Sequence, residues 1–238
     1  MNKKLLTIIL MVLCATSVIV AIFTKGDELD SIKFKKEYES LNGTSASKTL
    51  KYSKMNIDTS NPIKYSNYDE ILDVINNKTG IIYLGFPECP WCRTAIPVLL
   101  EVAKDNKIDT IYYLNILNER DSYTVEDGEL VYSKDDSGKE KKGSKGYFKL
   151  LEALEEYLTD YTIELGDEVY EVGEKRIFAP TVIFVKEGKV LGIHVSTVAG
   201  QVSGFDKLTD EQHEELYSIY EDYIIDMTSS TCDIDSSC

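Results

Sequence analysis

The chain has 238 residues, of which 43% are hydrophobic and 28% are charged, a balance typical of a folded globular protein. Its formal net charge of −15 at pH 7 repels phosphate groups, which excludes nucleic acid and an anionic lipid surface as its binding partners. Without the terminal segments, about 170 residues remain for a single globular domain. This length is enough to bury a hydrophobic core without stabilising disulfides or metals.

The N-terminus predicts a membrane anchor. Residues 5–23 carry no charge, and Lys3 and Lys4 precede them. A cleaved signal peptide has an apolar core of about 7 to 15 residues, whereas a bilayer span takes about 20. The lysines place residues 1–4 in the cytoplasm and the rest of the chain outside. The alternative is a lipoprotein signal ending at Cys14, but the leucine before that cysteine is too bulky. We therefore expect an uncleaved, single-pass signal anchor in the cell membrane.

The remaining chain divides into three parts. Residues 24–54 are polar and predict an extracytoplasmic stem that holds the domain off the membrane. Residues 55–228 form the predicted domain, and residues 229–238 a flexible tail. The tail carries Cys232 and Cys238, a possible second disulfide that forms either a small structural loop or an auxiliary redox pair. Disulfides persist in the oxidising space outside the cytoplasm.

Two segments near the domain's start predict a helix followed by a strand. Ser66 begins a sequence resembling a capping box, which predicts a helix that continues through Ile75. Residues 81–86 are an apolar run of strand length, and Pro87 ends it.

A Cys-x-x-Cys motif follows this strand. We expect a helix from Cys89 to about Lys104, with Pro90 at its first position and Cys89 as its N-cap. Two thiols one helical turn apart have the geometry of a reversible disulfide. The next predicted strand covers residues 110–114.

The helix start makes the two thiols unequal. The Cys89 sulfur would face the N–H groups of Trp91 and Cys92 at the positive end of the helix dipole, which favours the thiolate. Cysteines so placed have a pKa of roughly 3.5 to 7.5 rather than about 8.5. Arg93 should favour the thiolate and Glu88 should oppose it. We therefore expect Cys89 to be an exposed nucleophile and Cys92 to resolve the mixed disulfide.

A long segment separates this helix from the next motif. Asp127-Gly128 predicts a hairpin turn. Apolar residues at helical spacing predict a helix over residues 147–158, and the alternation of residues 168–177 suggests an edge strand. The charged residues 134–145 indicate a solvated loop, with a docking element for a partner as the alternative.

The last part of the domain predicts a hairpin and a helix. Ala179-Pro180-Thr181 leads into residues 182–186, and a Glu187-Gly188 turn leads into the strand 189–194. A capping box at Thr209 then opens the last helix, whose apolar stripe comprises Leu216, Ile219, Tyr220, Tyr223 and Ile224.

A Cys-x-x-Cys pair is also found as half of a structural zinc site or as a plain structural disulfide. A zinc site needs two more ligands, and the chain offers none in a knuckle arrangement among His194, His213, Cys232 and Cys238. The spacing therefore favours redox chemistry, and no metal is expected.

Together, Cys89-Pro90-Trp91-Cys92 and Ala179-Pro180-Thr181 resemble the thioredoxin superfamily over residues 55–228. The resemblance implies an α/β fold in which a central mixed sheet is flanked by helices. It also implies that Pro180 is a cis-proline beside the disulfide and that the Ala179 backbone pairs with extended substrate. Trp91 and Thr181 would complete the substrate-binding site. The predicted anchor and the sequence around Glu174 to Val190 look most like those of the membrane-anchored thioredoxin-like proteins of Gram-positive bacteria, including bacteriocin transport accessory proteins.

Three features depart from ordinary thioredoxin. The Pro-Trp dipeptide resembles the Pro-aromatic dipeptide of glutaredoxins. Tyr83 stands six residues before Cys89, where thioredoxins keep a buried aspartate for proton transfer. Cys92 and Pro180 are 88 positions apart, about twice the thioredoxin interval, which predicts an insertion at about residues 117–176.

These features predict an extracytoplasmic thiol–disulfide oxidoreductase that acts on exported proteins or peptides through the Cys89–Cys92 disulfide, and no cofactor beyond these two sulfurs is implied. A membrane redox partner or a transporter is a further possible partner. The alternative is a non-enzymatic accessory or binding protein of a peptide (bacteriocin) export system. The direction of exchange depends on how far the reduced thiolate is stabilised, which the sequence does not determine.

Overall fold

The structure, a computed structural model, describes residues 29–229. The predicted anchor and the tail cysteines Cys232 and Cys238 lie outside these residues. Within the described part, no helix has both the length and the apolar character needed to cross a membrane.

The described residues form five α-helices and nine strands. The helices are α1 (Asp30–Glu39), α2 (Tyr68–Asn77), α3 (Pro90–Asp105), α4 (Lys145–Ala153) and α5 (Asp210–Thr228). The strands are β1 (Ile63–Tyr65), β2 (Gly80–Gly85), β3 (Ile111–Asn115), β4 (Tyr123–Glu126), β5 (Glu129–Tyr132), β6 (Thr159–Leu165), β7 (Glu168–Arg176), β8 (Thr181–Lys186) and β9 (Lys189–Val195).

A five-stranded mixed sheet is the centre of the fold, as predicted. Its strand order is β1-β3-β2-β8-β9. β1 and β2 run parallel to β3, β8 runs antiparallel to β2, and β9 runs antiparallel to β8. Residues 81–85 and 181–185 are all buried, so the two central strands are covered on both faces. The sheet is flanked by helices, with α3 packed against α5 and α2 packed against α4.

Of the two capping boxes predicted from the sequence, one is present. The Thr209 capping box is present, with both of its reciprocal hydrogen bonds. The predicted box at Ser66 is wrong by one residue, because the Asn67 side chain accepts the Glu70 N–H at 3.0 Å and caps α2. The Ser66 hydroxyl instead donates to the Lys64 carbonyl oxygen at 3.3 Å.

The segment predicted as a detached stem contains α1, which packs into the core. Phe34 and Tyr38 on this helix are fully buried. The Phe34 ring lies 4.4 Å from the Tyr38 ring and 5.0 Å from the Tyr113 ring of β3. Lysine and glutamate surround these two aromatic residues, which makes the average composition of the segment polar although one face of the helix is apolar. The stem prediction therefore does not hold for this helix.

The insertion forms two hairpins beside the central sheet. The predicted turn joins β4 and β5, with positive φ at Asp127 (51°) and Gly128 (82°). The predicted edge strand is β7, but it pairs with β6 in a separate two-stranded sheet rather than joining the central one. The sequence pattern did not indicate β6, the partner that takes up the hydrogen bonds of β7. The predicted helix over residues 147–158 is α4, followed by a short 3₁₀ helix at Glu155–Tyr157.

Candidate active site

The two thiols lie where β2 leads into α3. Cys89 caps the helix in extended conformation (φ −78°, ψ 115°), and its Sγ accepts the Cys92 N–H at 3.2 Å. Pro90 occupies the first helical position, as the sequence predicts. The Cys-x-x-Cys spacing therefore places the Cys89 sulfur at the N-terminal end of the helix. The Cys92 sulfur lies one helical turn further in.

Both cysteines are unpaired thiols, and both are buried. Cys89 is 5% exposed and Cys92 is 0% exposed. Cys89 is more accessible than Cys92, as expected. However, the prediction that Cys89 is exposed is wrong, because its side chain is buried. The Cys89 Sγ lies 3.2 Å from the Ala179 carbonyl oxygen, to which the protonated thiol donates a hydrogen bond. The Ala179 backbone therefore lies directly beside the Cys89 sulfur.

The Ala179–Pro180 peptide bond is cis and lies beside Cys89. The Pro180 carbonyl accepts the Ser196 N–H at 2.8 Å, which holds this loop against the end of β9. The Thr181 side chain is fully buried, and its hydroxyl donates to the Phe178 carbonyl oxygen at 2.6 Å. Of the residues predicted to bind substrate, Ala179 thus lies beside the Cys89 thiol. The Thr181 hydroxyl instead makes a hydrogen bond within its own loop.

A second loop packs on the first turn of α3. The Gly204 carbonyl accepts the Thr94 hydroxyl at 3.0 Å. A Cβ atom on Gly204 would lie 2.7 Å from the Trp91 backbone nitrogen, so only glycine allows this approach. Val202 in the same loop is 90% exposed, and Phe178 beside Ala179 is 39% exposed. These two apolar side chains lie on segments that flank the thiols, and no sequence pattern indicates their exposure.

The surroundings of the two thiols shift their pKa values in opposite directions. The pKa of Cys89 is lowered by its hydrogen bond with the Cys92 thiol, by the N–H groups of Cys92 and Trp91, and by the charge of Arg120, although burial opposes this. The pKa of Cys92 is raised well above its ordinary value by burial and by the neighbouring Cys89. This asymmetry has the direction expected for a nucleophile at the helix end and a resolving thiol inside.

Arg93 does not have the role that the sequence suggests. Its guanidinium donates to the Tyr38 carbonyl, the Asn42 side-chain oxygen and the Ser53 carbonyl, each at 2.7 Å. Arg93 is buried, and it joins α3 to α1 and to the segment that follows α1. Its two Nη groups donate to residues of the predicted stem, and the charge that lowers the pKa of Cys89 belongs to a different residue.

Arg120 is that cation, and it was not among the site residues predicted from the sequence. Its guanidinium lies 5.0 Å from the Phe86 ring and donates to the Ile177 carbonyl oxygen at 3.5 Å. Burial and the neighbouring Arg176 lower the pKa of Arg120. Arg120 is 31 positions from Cys89 in the sequence, at the start of the insertion, and no local pattern connects the two.

Removing the Arg120 charge should move the reactivity of Cys89 to higher pH. Arg120 lowers the pKa of Cys89, so in Arg120→Gln more of the thiol stays protonated at a given pH below the ordinary thiol range. The measurement is the rate of iodoacetamide labelling of the Cys89 peptide against pH, followed by mass spectrometry. Arg120→Lys keeps the charge and serves as the control. Equal pH profiles for Arg120→Gln and wild type would contradict the assigned role.

Within residues 29–229, no group of three or more His, Cys, Asp or Glu side chains is arranged to hold a metal ion. His194 instead contacts the Thr197 carbonyl oxygen at 2.8 Å, and His213 contacts Glu101 at 2.9 Å.

Neither a protein-family model nor a curated protein sequence matches the chain. The site geometry is therefore the main guide to function.

Proposed function

We propose that this protein is a thiol–disulfide oxidoreductase that uses Cys89 and Cys92. One observation carries the proposal: the Cys89 sulfur caps α3 and has a lowered pKa, while Cys92 lies buried one turn away with a raised pKa. An inert pair of buried cysteines has no need of this asymmetry.

The fold supports a place in the thioredoxin superfamily. The mixed sheet puts the end of β2, which leads to Cys89, next to the start of β8, which follows Pro180. The two motifs that carry the resemblance are thus adjacent in space although 88 positions separate Cys92 from Pro180 in the sequence. The β4–β5 and β6–β7 hairpins are the insertion in this scheme.

The exchange takes two steps in the reducing direction. The Cys89 thiolate attacks one sulfur of a substrate disulfide, a Cys89–substrate disulfide forms, and the other substrate sulfur leaves as a thiolate. Cys92 then gives its proton to the substrate thiolate that left in the first step, and the resulting Cys92 thiolate attacks the Cys89 sulfur. The Cys89–Cys92 disulfide forms, and the remaining substrate sulfur leaves with the bonding electron pair. The oxidising direction is the reverse of these steps.

The surroundings of Cys89 suit an extended peptide substrate. The Ala179 carbonyl lies 3.2 Å from the Cys89 sulfur and offers a backbone acceptor at the reacting atom. The exposed Phe178 directly precedes Ala179, and the exposed Val202 belongs to the loop that packs on Trp91. We propose that they bind apolar side chains next to the substrate cysteine.

The proposed site of action is outside the cytoplasm. This location follows from the predicted anchor at residues 5–23, with exported proteins or peptides as substrates. A membrane redox partner or a peptide transporter fits this setting. An accessory protein of such a transporter would not need the thiols at all.

A redox titration tests the proposal. Trp91 is the only tryptophan of the chain and lies between the two cysteines, so its fluorescence should report their state. In mixtures of reduced and oxidised glutathione we expect one two-electron transition, and comparison of its midpoint with the redox potential of the surroundings gives the direction of exchange. A Cys232→Ser/Cys238→Ser variant is the control, because it removes the tail thiols and should leave the transition in place. Absence of a Cys89–Cys92 disulfide at every glutathione ratio would refute the proposal.

A further inference from the structure

The Ala179 loop, residues 177–180, joins β7 to β8 and belongs to neither strand. The ladder hydrogen bonds of the sheets therefore do not set its position. The loop nevertheless carries the Ala179 carbonyl oxygen, which lies 3.2 Å from the Cys89 sulfur. Side chains of the insertion supply contacts that hold the loop there.

Tyr147 of α4 accepts a hydrogen bond from the first residue of the loop. Its hydroxyl oxygen accepts the Ile177 N–H at 3.2 Å, and both residues are fully buried. Because a buried N–H without a partner is costly, this bond fixes the place where the loop begins. Tyr147 is itself held by the start of α4, since the Ser144 side chain that caps the helix accepts the Tyr147 N–H at 3.1 Å.

Two arginines of the insertion hold the backbone on either side of that N–H. Arg120 donates to the Ile177 carbonyl oxygen at 3.5 Å, so both polar backbone groups of Ile177 bond to side chains of the insertion. Arg176, the residue before the loop, donates to the Asp121 carbonyl oxygen at 2.9 Å. The chain is thus tied to the insertion directly before it reaches the thiol.

The charge of Asp121 strengthens the tie to Arg176. Asp121 is 1% exposed, and its Oδ1 lies 3.6 Å from the Arg176 guanidinium. Neither carboxylate oxygen makes a hydrogen bond with the part of the chain that the structure describes. A buried carboxylate is costly without a cation beside it, so removal of Arg176 from this position is unfavourable.

The other end of the loop is held by the central sheet. The Pro180 carbonyl accepts the Ser196 N–H beside β9, and the Thr181 hydroxyl at the start of β8 donates to the Phe178 carbonyl. Ala179 therefore lies between two points of attachment, one on the sheet and one on the insertion. Loss of the second should let the loop move while the sheet stays intact.

We propose that the insertion positions the Ala179 loop for extended peptide substrates, with Tyr147 as the positioning residue. The inference rests on the proposed oxidoreductase function and concerns the kind of substrate that the site favours. A peptide that binds along the Ala179 backbone needs the loop in place, so its apparent affinity falls with the fraction of molecules whose loop is displaced. A small disulfide has no peptide backbone to pair with the loop and needs only Cys89. The insertion thus favours peptides over small disulfides.

The test is the steady-state kinetics of full-length Tyr147→Phe with dithiothreitol as the reductant. One substrate is a short linear peptide whose cysteine carries a β-mercaptoethanol disulfide, and the other is hydroxyethyl disulfide. We expect the KM for the peptide to rise by about tenfold with little change in kcat, because a buried N–H of the loop loses its acceptor. The kcat/KM for hydroxyethyl disulfide should stay within about twofold of wild type, because this substrate does not use the loop backbone.

Tyr161→Phe is the matched control within the insertion. The Tyr161 hydroxyl accepts the Tyr123 N–H at 3.4 Å, so this variant also removes an acceptor of a backbone N–H, but one that does not bond to the loop. The phenylalanine keeps the ring surface, whose centre lies 3.9 Å from the Arg176 guanidinium. Its KM for the peptide should therefore stay within about twofold of wild type.

The outcomes separate this inference from the proposed function. If wild type turns over neither substrate, the proposed function fails and the inference falls with it. If wild type turns over the peptide and Tyr147→Phe has the same KM, only the inference fails. Equal losses for both substrates, or the same rise in KM in Tyr161→Phe, would indicate general damage to the insertion and would also overturn the inference.

Should Tyr147→Phe not fold, as judged by circular dichroism, Arg176→Lys takes its place. This variant keeps a positive charge beside Asp121 but loses the guanidinium that donates to the Asp121 carbonyl oxygen. A raised KM for the peptide with unchanged turnover of hydroxyethyl disulfide supports the inference, and a wild-type KM overturns it.

Discussion

Replacing Cys89 by serine should abolish disulfide exchange, whereas replacing Cys92 by serine should trap substrates as stable mixed disulfides. Cys89 is the thiol with the lowered pKa at the helix end, so no attack begins without it. In Cys92→Ser the first attack remains, but the step that releases the substrate is lost. We expect turnover of a model disulfide to fall by at least about a thousandfold in Cys89→Ser, a loss comparable to removal of a catalytic nucleophile.

The measurement is a non-reducing gel of intact cells that express each variant, with mass spectrometry of the adducts. A Cys89→Ser/Cys92→Ser double variant is the control for adducts at other cysteines. Adducts through Cys92 in Cys89→Ser, with none in Cys92→Ser, would reverse the two roles. Adducts in neither variant, with function retained, would favour the accessory-protein alternative. Trapped partners confined to the cytoplasm would contradict the proposed location.

Phe34→Ala should destabilise the whole domain, although the sequence places this residue in a polar stem. Phe34 is fully buried against Tyr38 and Tyr113, and truncation of such a phenylalanine costs about 3 to 5 kcal/mol. For a domain of this size the thermal midpoint should fall by roughly 10 °C. The measurement is thermal unfolding followed by circular dichroism.

The same substitution at Phe148 is the control. Phe148 is 38% exposed on α4, so Phe148→Ala should cost less than half as much. If Phe34→Ala unfolds at the wild-type temperature, α1 does not contribute to the stability of the domain, and residues 24–54 behave as the detached stem that their composition suggests.

Local signals account for the parts of the fold that were predictable. Pro90 after a cap residue determines where α3 begins, and Asp127-Gly128 determines the β4–β5 turn. The Thr209 capping box likewise closes within four residues. Each of these features depends on atoms that are close in the chain, so the residue types alone indicate it.

Features that depend on distant residues were not predictable. The Arg93 side chain follows the active-site cysteines directly, yet its hydrogen bonds go to Tyr38, Asn42 and Ser53. Arg120 lies beside Phe86, three residues before Cys89, only because the tertiary fold brings the start of the insertion there. A charge next to a thiol in the sequence is therefore a poor guide to the charge next to it in space, since a side chain can turn toward any acceptor that the tertiary fold supplies.

If residues 5–23 anchor the chain as predicted, the packing of α1 into the core limits how far the domain can move from the membrane. A free stem over residues 24–54 would let the thiols range about 100 Å from the bilayer. Since α1 begins at Asp30, only residues 24–29 would lie between the predicted span and the folded domain. Six residues reach at most about 20 Å, even fully extended. With such a short tether the domain would stay close to the bilayer surface, within reach of chains that are still emerging from a translocation channel.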